Sequence, residues 1–353
     1  MLIKRNLNIS TGQYARLADG CAVGTLGDTS VMVTVVSKTK PSSSGFLPLV
    51  VDYRQKSAAA GRIPTNFFRR ELGPSEKEIL TSRLIDRSLR PLFPNNFHYE
   101  TQVICNMLAV DGVNNPDVIS INAASAALSL SDVPWDGPIG AVRVGLIDNE
   151  VIINPTRKEL QLSNLNLIVS ATKRNLVVML EGNADNILQQ DLLKAIKLGT
   201  KEVQNIVSEI ERLQKAFGKP KRVLESPAEL SEEVNEALRS LMEMRVREIF
   251  KNYTYDKFGR DNAISEVKVD VLEKIRLSFP DSDANLTADA CNKIVKQIFR
   301  DLVFEEEKRC DGRDFDQLRD ISCKVNLYKP LHGSAMFPKR TNSSVLHGYV
   351  RFS

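Results

Sequence analysis

Apolar residues in the first third of the chain recur at short, alternating intervals. Between residues 7 and 36 the alternation breaks at Ala18-Asp19-Gly20 and again at Gly27-Asp28-Thr29, which predicts three strands of a β-meander ending in VMVTVV. The segment PSSSG, residues 41 to 45, has loop composition. FLPLVVDYRQ and QVICNMLAV then read as further strands, and IGAVRVGLI, a turn at Asp148-Asn149 and EVIIN as a hairpin; LNLIVSA and LVVMLEG add two more. Between these runs, DGVNNPD from Asp111 to Asp117 has the chemistry of a connection, and a helix of small residues is expected near Ile121 to Leu130. Its run Ala123-Ala124-Ser125-Ala126-Ala127 suits close packing of helix on sheet, or the approach of an anion to a helix end.

From Asp185 the period lengthens to that of a helix. Ile187, Leu188, Leu192, Ile196, Val203, Ile206, Val207 and Ile210 fall on one face, and Gly218-Lys219-Pro220 stops it. A linker is expected over residues 221 to 230. Three apolar stripes follow, through Val234, Leu238, Leu241, Met242, Val246 and Ile249, then Ile264, Val267, Val271, Leu272 and Ile275, then Ile294, Val295, Ile298, Phe299 and Leu302. Helices of this length bury such stripes against one another in a small bundle.

One stretch breaks the pattern with chemistry of its own: GRIPTNFFRRELGPSEKEILTSRLIDRSLRPLFP, residues 61 to 94. Ser75 and Glu78 form a capping box, opening a helix whose Leu80, Leu84, Ile85 and Leu89 are expected to face the core. Arg83, Arg87 and Arg90 share one face of it. Ahead of it, Phe67, Phe68, Arg69 and Arg70 pair aromatic rings with guanidinium groups, as base stacking and phosphate neutralisation on single-stranded nucleic acid require. The helix arginines fit phosphate contacts or structural pairs such as Glu78 with Arg83 or Asp86 with Arg90.

Composition narrows the classes. The 353 residues suit more than one domain, and a net charge of +4 requires that a nucleic acid be held by local basic patches. Five scattered cysteines do not suggest a disulfide framework, and three histidines give little material for a metal site or a histidine-based triad. No apolar run approaches a membrane span, and the first residues, MLIKRNLNISTGQ, lack the marks of a secretory signal or a presequence. Asp111, Asp117 and Glu181 are lone carboxylates at turns or strand ends and are expected to be structural. No catalytic and no metal-binding residue is assigned.

The strings VVDYRQKSAAAGRIPTN, FFRRELGPSEKEILTSRLIDRSLRPLFP and TQVICNMLAVDGVNNPDVISINAASAALSLSDVPW closely resemble the first RNase PH-like core of polynucleotide phosphorylases, the mitochondrial members in particular. The resemblance implies an α+β fold: an RNase PH-like core (ribosomal protein S5 domain 2-like) over residues 1–220, an all-helical domain over 221–306, and the beginning of a second RNase PH-like core over 307–353. The first core is expected to be β-rich with two principal helices. RCDGRDFDQLRDISCKVNLYKPLHGSAMF resembles the opening of the second core, and Gly333-Ser334-Ala335 followed by Val345 repeats Gly20-Cys21-Ala22 followed by Val31. From Pro338 the sequence departs from the family, the second core is expected to be cut short, and residues 338 to 353 are expected to pack poorly.

Family members are homotrimeric rings that shorten single-stranded RNA from its 3′ end with inorganic phosphate as the attacking group and Mg²⁺ at the catalytic site. In them the loop matching Phe67, Phe68, Arg69 and Arg70 lines the ring opening. Their phosphate- and metal-holding groups sit in the second core; the first-core counterpart here carries Asn164 and Asn166, so no cofactor is expected bound to this chain. The chain is therefore expected to represent a phosphate-dependent 3′-to-5′ exoribonuclease while being inactive alone, or to act as a non-catalytic module for RNA binding and oligomerisation. A mitochondrial location follows from the resemblance, with a cytosolic one as the alternative.

Overall fold

The computed structural model describes residues 6–42, 46–64, 73–224, 230–280, 282–319, 321–339 and 342–348, with side chains up to residue 337. The chain divides into two compact units, Met1–Pro227 and Ala228–Ser353.

In the first unit, β1 (Leu7–Ser10), β2 (Gly20–Leu26), β3 (Thr29–Pro41), β4 (Leu49–Arg54) and β5 (Tyr99–Ala109) form one sheet in the order β1-β2-β3-β5-β4. The expected meander is its first half. Only the β4–β5 pair is parallel, and the connection between those strands carries α1 (Glu76–Leu89). Period-two alternation sends Ala22, Val31, Val33, Val35, Val103 and Cys105 inward, all fully buried.

The second sheet, β6 (Ile139–Ile147), β7 (Glu150–Ile153), β8 (Leu165–Thr172) and β9 (Val177–Ala184), is antiparallel in the order β7-β6-β8-β9. Asp148 and Asn149 both take positive φ, 49° and 63°, as a two-residue hairpin turn of matching twist requires.

Helix α2 (Pro116–Leu130) packs on β2 and β3 of the first sheet and on β6 of the second. Every residue in it except Asp117 is buried. Its run of small residues is a packing device, because β2 comes close: a methyl group built on Gly20 would lie 2.2 Å from the Ala127 carbonyl oxygen, and one on Gly24 3.2 Å from the Ala123 Cβ. Polar side chains inside this layer are satisfied by strand backbone. Asn122 donates to the Ala141 carbonyl at 2.9 Å and accepts from its N–H at 2.7 Å, while the Ser125 hydroxyl accepts from the Ile139 N–H at 3.0 Å.

Helix α4 (Gln189–Phe217) covers β6 and β8. The chain leaving α4 is clamped at the far end of α2, where Lys221 donates to the Leu128, Ser129 and Ser131 carbonyls. Burial pulls the Lys221 pKa down to about 8.

The structure departs from the sequence pattern at several points. Helix α4 begins only at Gln189, so Leu188, expected on its apolar face, precedes the helix and is 69% exposed. The first core has three long helices, α1, α2 and α4, rather than two, besides a short α3 (Arg157–Gln161) capped by Thr156 and Glu159. Helix α2 begins at Pro116 rather than near Ile121, because proline at the first helical position lacks only an N–H that would go unused, and its φ suits a helix. Strand β3 runs on to Pro41, into the segment read as loop. Leu80 is 58% exposed, so the buried face of α1 is formed by Leu84, Ile85 and Leu89.

In the second unit, α5 (Glu232–Lys251), α6 (Lys257–Ser278) and α7 (Ala284–Glu306) bury the three expected stripes in one core, with Leu238, Met242, Val246 and Val271 fully enclosed. Strands β10 (Lys324–Val325), β11 (Gly333–Lys339) and β12 (Asn342–Gly348) then form an antiparallel meander. Like β2, β11 has seven residues and is separated by two residues from the strand it pairs with, but Val31 pairs with Gly24, the fifth residue of β2, and Val345 with Met336, the fourth of β11, so the two hairpins match in the length of first strand and turn and not in the register of the repeat. The side chains of residues 338 to 353, whose packing the sequence questions, lie outside the described residues.

Candidate nucleic-acid interface

Phe67, Phe68, Arg69 and Arg70 lie outside the described residues; both roots of their loop are described. On the entering side, a 3-10 turn over Ser57–Ala60 ends at Gly61 in the left-handed region, and Ala59 accepts a hydrogen bond from the Val110 N–H at the end of β5. On the leaving side, Ser75 caps α1 in the predicted box with Glu78.

Glu78 joins the two roots. One carboxylate oxygen accepts from the Gln55 N–H at 2.7 Å; the other accepts from the Ser75 N–H at 2.7 Å and its hydroxyl at 2.8 Å. One turn on, the Ser82 hydroxyl accepts from the Tyr53 N–H at 2.9 Å. Glu78 is only 8% exposed, and burial alone would raise its pKa; the hydrogen bonds from Ser75 and Gln55 outweigh this and hold the carboxyl below its usual range. A charged, buried clasp thus ties the end of β4 to the start of α1.

The three helix arginines differ in what holds them. Arg90 makes a bidentate pair with Asp86 and donates to the Leu47 and Leu49 carbonyls at 3.1 and 3.0 Å, which anchors the chain entering β4. Arg87 pairs with Glu181 on β9 at the surface. Arg83 is exposed and has no ion-pair partner among the described residues. Among the described contacts its guanidinium is the least engaged of the three.

The lone carboxylates are each engaged. Asp111 accepts from the Val113 and Asn114 N–H groups at 2.7 and 2.8 Å; burial pushes its pKa up, and these bonds outweigh that to leave it lowered. Asp117, in the first turn of α2, is paired with Arg143 of β6, which also donates to Asn166 of β8. Arg143 is only 7% exposed. Sequence reasoning passed over it, although a single charge inside the nine-residue run IGAVRVGLI is a usable signal of a buried ion pair. Glu78 as a bridge carried no such signal, because its second contact is to backbone of Gln55, 23 residues away.

The phosphorolytic chemistry that the resemblance implies would need Mg²⁺ held by carboxylates, and the residues on β8 do not fit that ion. The place on β8 that resembles the carboxylate-bearing strand presents the Asn166 amide, and a guanidinium already occupies its oxygen. Among the described residues no group of three His, Cys, Asp or Glu converges as metal ligands would. A cleft of about 720 Å³ opens beside this cluster, between β1, the start of α2, β6 and the second half of α4; Asn8, Asn115, Arg143, Ile206 and Phe217 are among its walls.

Two sheets with the buried helix α2 packed on both, and α4 covering the second, go with the class of 3′ exoribonucleases: residues 4–134 match the model for domain 1 of the 3′ exoribonuclease family and residues 137–202 that for domain 2. Residues 233–314 match the RNA binding domain of polyribonucleotide nucleotidyltransferase. The chain belongs to the polynucleotide phosphorylase family. It is 41% identical over 350 residues to a polyribonucleotide nucleotidyltransferase of Caldicellulosiruptor saccharolyticus, covering 98% of this chain and 48% of that protein. It is 39% identical over 342 residues to polyribonucleotide nucleotidyltransferase 2, mitochondrial, of Oryza sativa subsp. japonica, covering 95% of this chain and 35% of the relative. The chain spans about half the length of the curated relatives it matches. Among solved structures, a chain of the archaeoglobus fulgidus exosome with RNA bound to the active site is similar at 19% identity and TM-score 0.48, over 58% of this chain and 88% of that one.

Proposed function

We propose that this chain serves a polyribonucleotide nucleotidyltransferase, a phosphate-dependent 3′-to-5′ exoribonuclease, as its RNA-guiding and non-catalytic part. The succession of three family domains from residue 4 to residue 314 supports the activity class. The observation that supports the non-catalytic assignment is the amide on β8: where carboxylates would be needed to hold a metal, Asn166 accepts from the buried Arg143, whose other partner is Asp117. Single-stranded RNA is the partner, held by Phe67, Phe68, Arg69 and Arg70 on the base clasped by Glu78, with Arg83 the helix arginine freest to add a phosphate contact. Inorganic phosphate and Mg²⁺ act elsewhere in the whole protein, which assembles as a homotrimer. The mitochondrial relative in rice supports a mitochondrial location.

The test is titration of a fluorescent oligoadenylate with the 353-residue chain over a range of salt. Binding that weakens when Arg69 and Arg70 are both changed to Ala supports the reading. Unchanged affinity in that variant would remove the loop from the interface.

A further inference from the structure

The outer face of α4 carries a stripe of positive charge that is largely unpaired among the described residues. Lys194, Lys197, Lys201, Arg212 and Lys215 are all exposed and lie on one side of this 29-residue helix, interleaved with exposed Asn205 and Ser208. At 3.6 residues per turn these seven positions fall within an arc of roughly 80°, and at 1.5 Å per residue the stripe runs about 32 Å. The acids of the helix, Asp191, Glu202, Glu209 and Glu211, lie outside the arc. Glu209 is paired with Arg212 at 3.1 Å and Glu211 with Lys173 at 2.7 Å, whereas Lys194, Lys197, Lys201 and Lys215 have no ion pair among the described residues.

A solvated helix face ordinarily mixes signs and forms i, i+4 pairs, while like charges at that spacing repel. Here four lysines stand unpaired in a chain whose net charge is only +4. A polyanion relieves that repulsion. No aromatic side chain lies on the arc, so it offers phosphate neutralisation without base stacking.

We propose that the α4 stripe is a second, sequence-independent site for single-stranded RNA, acting on the phosphodiester backbone and separate from the Phe67–Arg70 loop. The proposal rests on the RNA-guiding reading above and adds to it a surface outside the loop.

The test measures log Kobs against log[salt] for the whole chain with a fluorescent 30-nucleotide oligoadenylate. The variants are Lys194, Lys197, Lys201 and Lys215 together changed to Ala, the same four changed to Arg, and Arg69 with Arg70 changed to Ala. Each single-strand phosphate contact contributes about 0.7 to the slope, so the four-alanine variant is expected to lose up to roughly 3 in slope and the four-arginine variant to keep it. Circular dichroism should be the same for all, since lysine and alanine are both good helix formers. If the chain binds RNA and the four-alanine variant has the parent's affinity and slope, the stripe proposal is overturned while the loop reading stands. A loss in the four-alanine variant with no change in the Arg69, Arg70 variant would uphold the stripe and overturn the loop. No RNA binding by the parent chain overturns both.

Discussion

Glu78 shows how much one side chain can decide. Its carboxylate completes the α1 cap and ties that cap to Gln55, so its removal leaves three donors, two of them backbone, seeking partners. Glu78→Ala is expected to lower stability by about 2–4 kcal/mol, the sum of a lost cap (about 1) and an unsatisfied buried donor (about 1–3); denaturant unfolding measures it. The pH dependence has a definite sign. Because the folded pKa lies below the unfolded one, the unfolded chain binds more protons, so the contribution is full above the ordinary glutamate range and fades as pH falls through it. Parent and variant should therefore converge in stability on acidification. The sequence showed Ser75 and Glu78 as a box because the box is local; the Gln55 contact depends on how β4 meets α1 and was invisible. Arg143 and Asp117 are 26 residues apart, and their pairing likewise exists only once β6 is laid against α2.

At the scale of elements, legibility followed periodicity. The strands, the hairpin turn at Asp148-Asn149 and the stripes of α4 to α7 were readable because each repeats a local rule. Helix α2 was half-hidden: buried almost all round, it has no polar face to mark its start, and Asn115-Pro116 looked like a turn. Its fit against β2 gives a sharp prediction. Gly20→Ala places a methyl group 2.2 Å from the Ala127 carbonyl oxygen and 2.9 Å from the Ser131 Cβ, so backbone must move. A destabilisation of about 1–3 kcal/mol is expected from this overpacking, read as a lowered urea midpoint; an unchanged midpoint would mean that α2 is free to shift. The segment carrying Phe67, Phe68, Arg69 and Arg70 is proposed to act by contact with RNA. Changing Phe67 or Phe68 to Ala should weaken RNA binding by roughly 1–3 kcal/mol through lost base stacking while leaving thermal stability unaltered. Unfolding of both variants, with affinity per folded molecule constant, would make the rings core residues.

For the whole molecule, fold and family were legible because long strings of the sequence carry them, and the hairpins whose first strands start at Gly20 and Gly333 have first strands and turns of matching length. The site was legible only as residue types: the loop, the arginines and the Asn164 and Asn166 amides could be named, but not that Arg90 anchors β4, Arg87 meets Glu181, and Arg143 fills the cluster on β8. The proposed function is a division of labour, with RNA held by this chain and phosphorolysis left to other parts of the protein. The direct test is incubation of 5′-labelled oligoadenylate with the purified chain, phosphate and Mg²⁺, following both binding and release of nucleoside diphosphate. The account predicts RNA that is bound and keeps its full length, with no diphosphate formed. Diphosphate released in proportion to the chain, and abolished by Asp117→Asn, would contradict it, because the Asp117–Arg143 cluster would then be an active site.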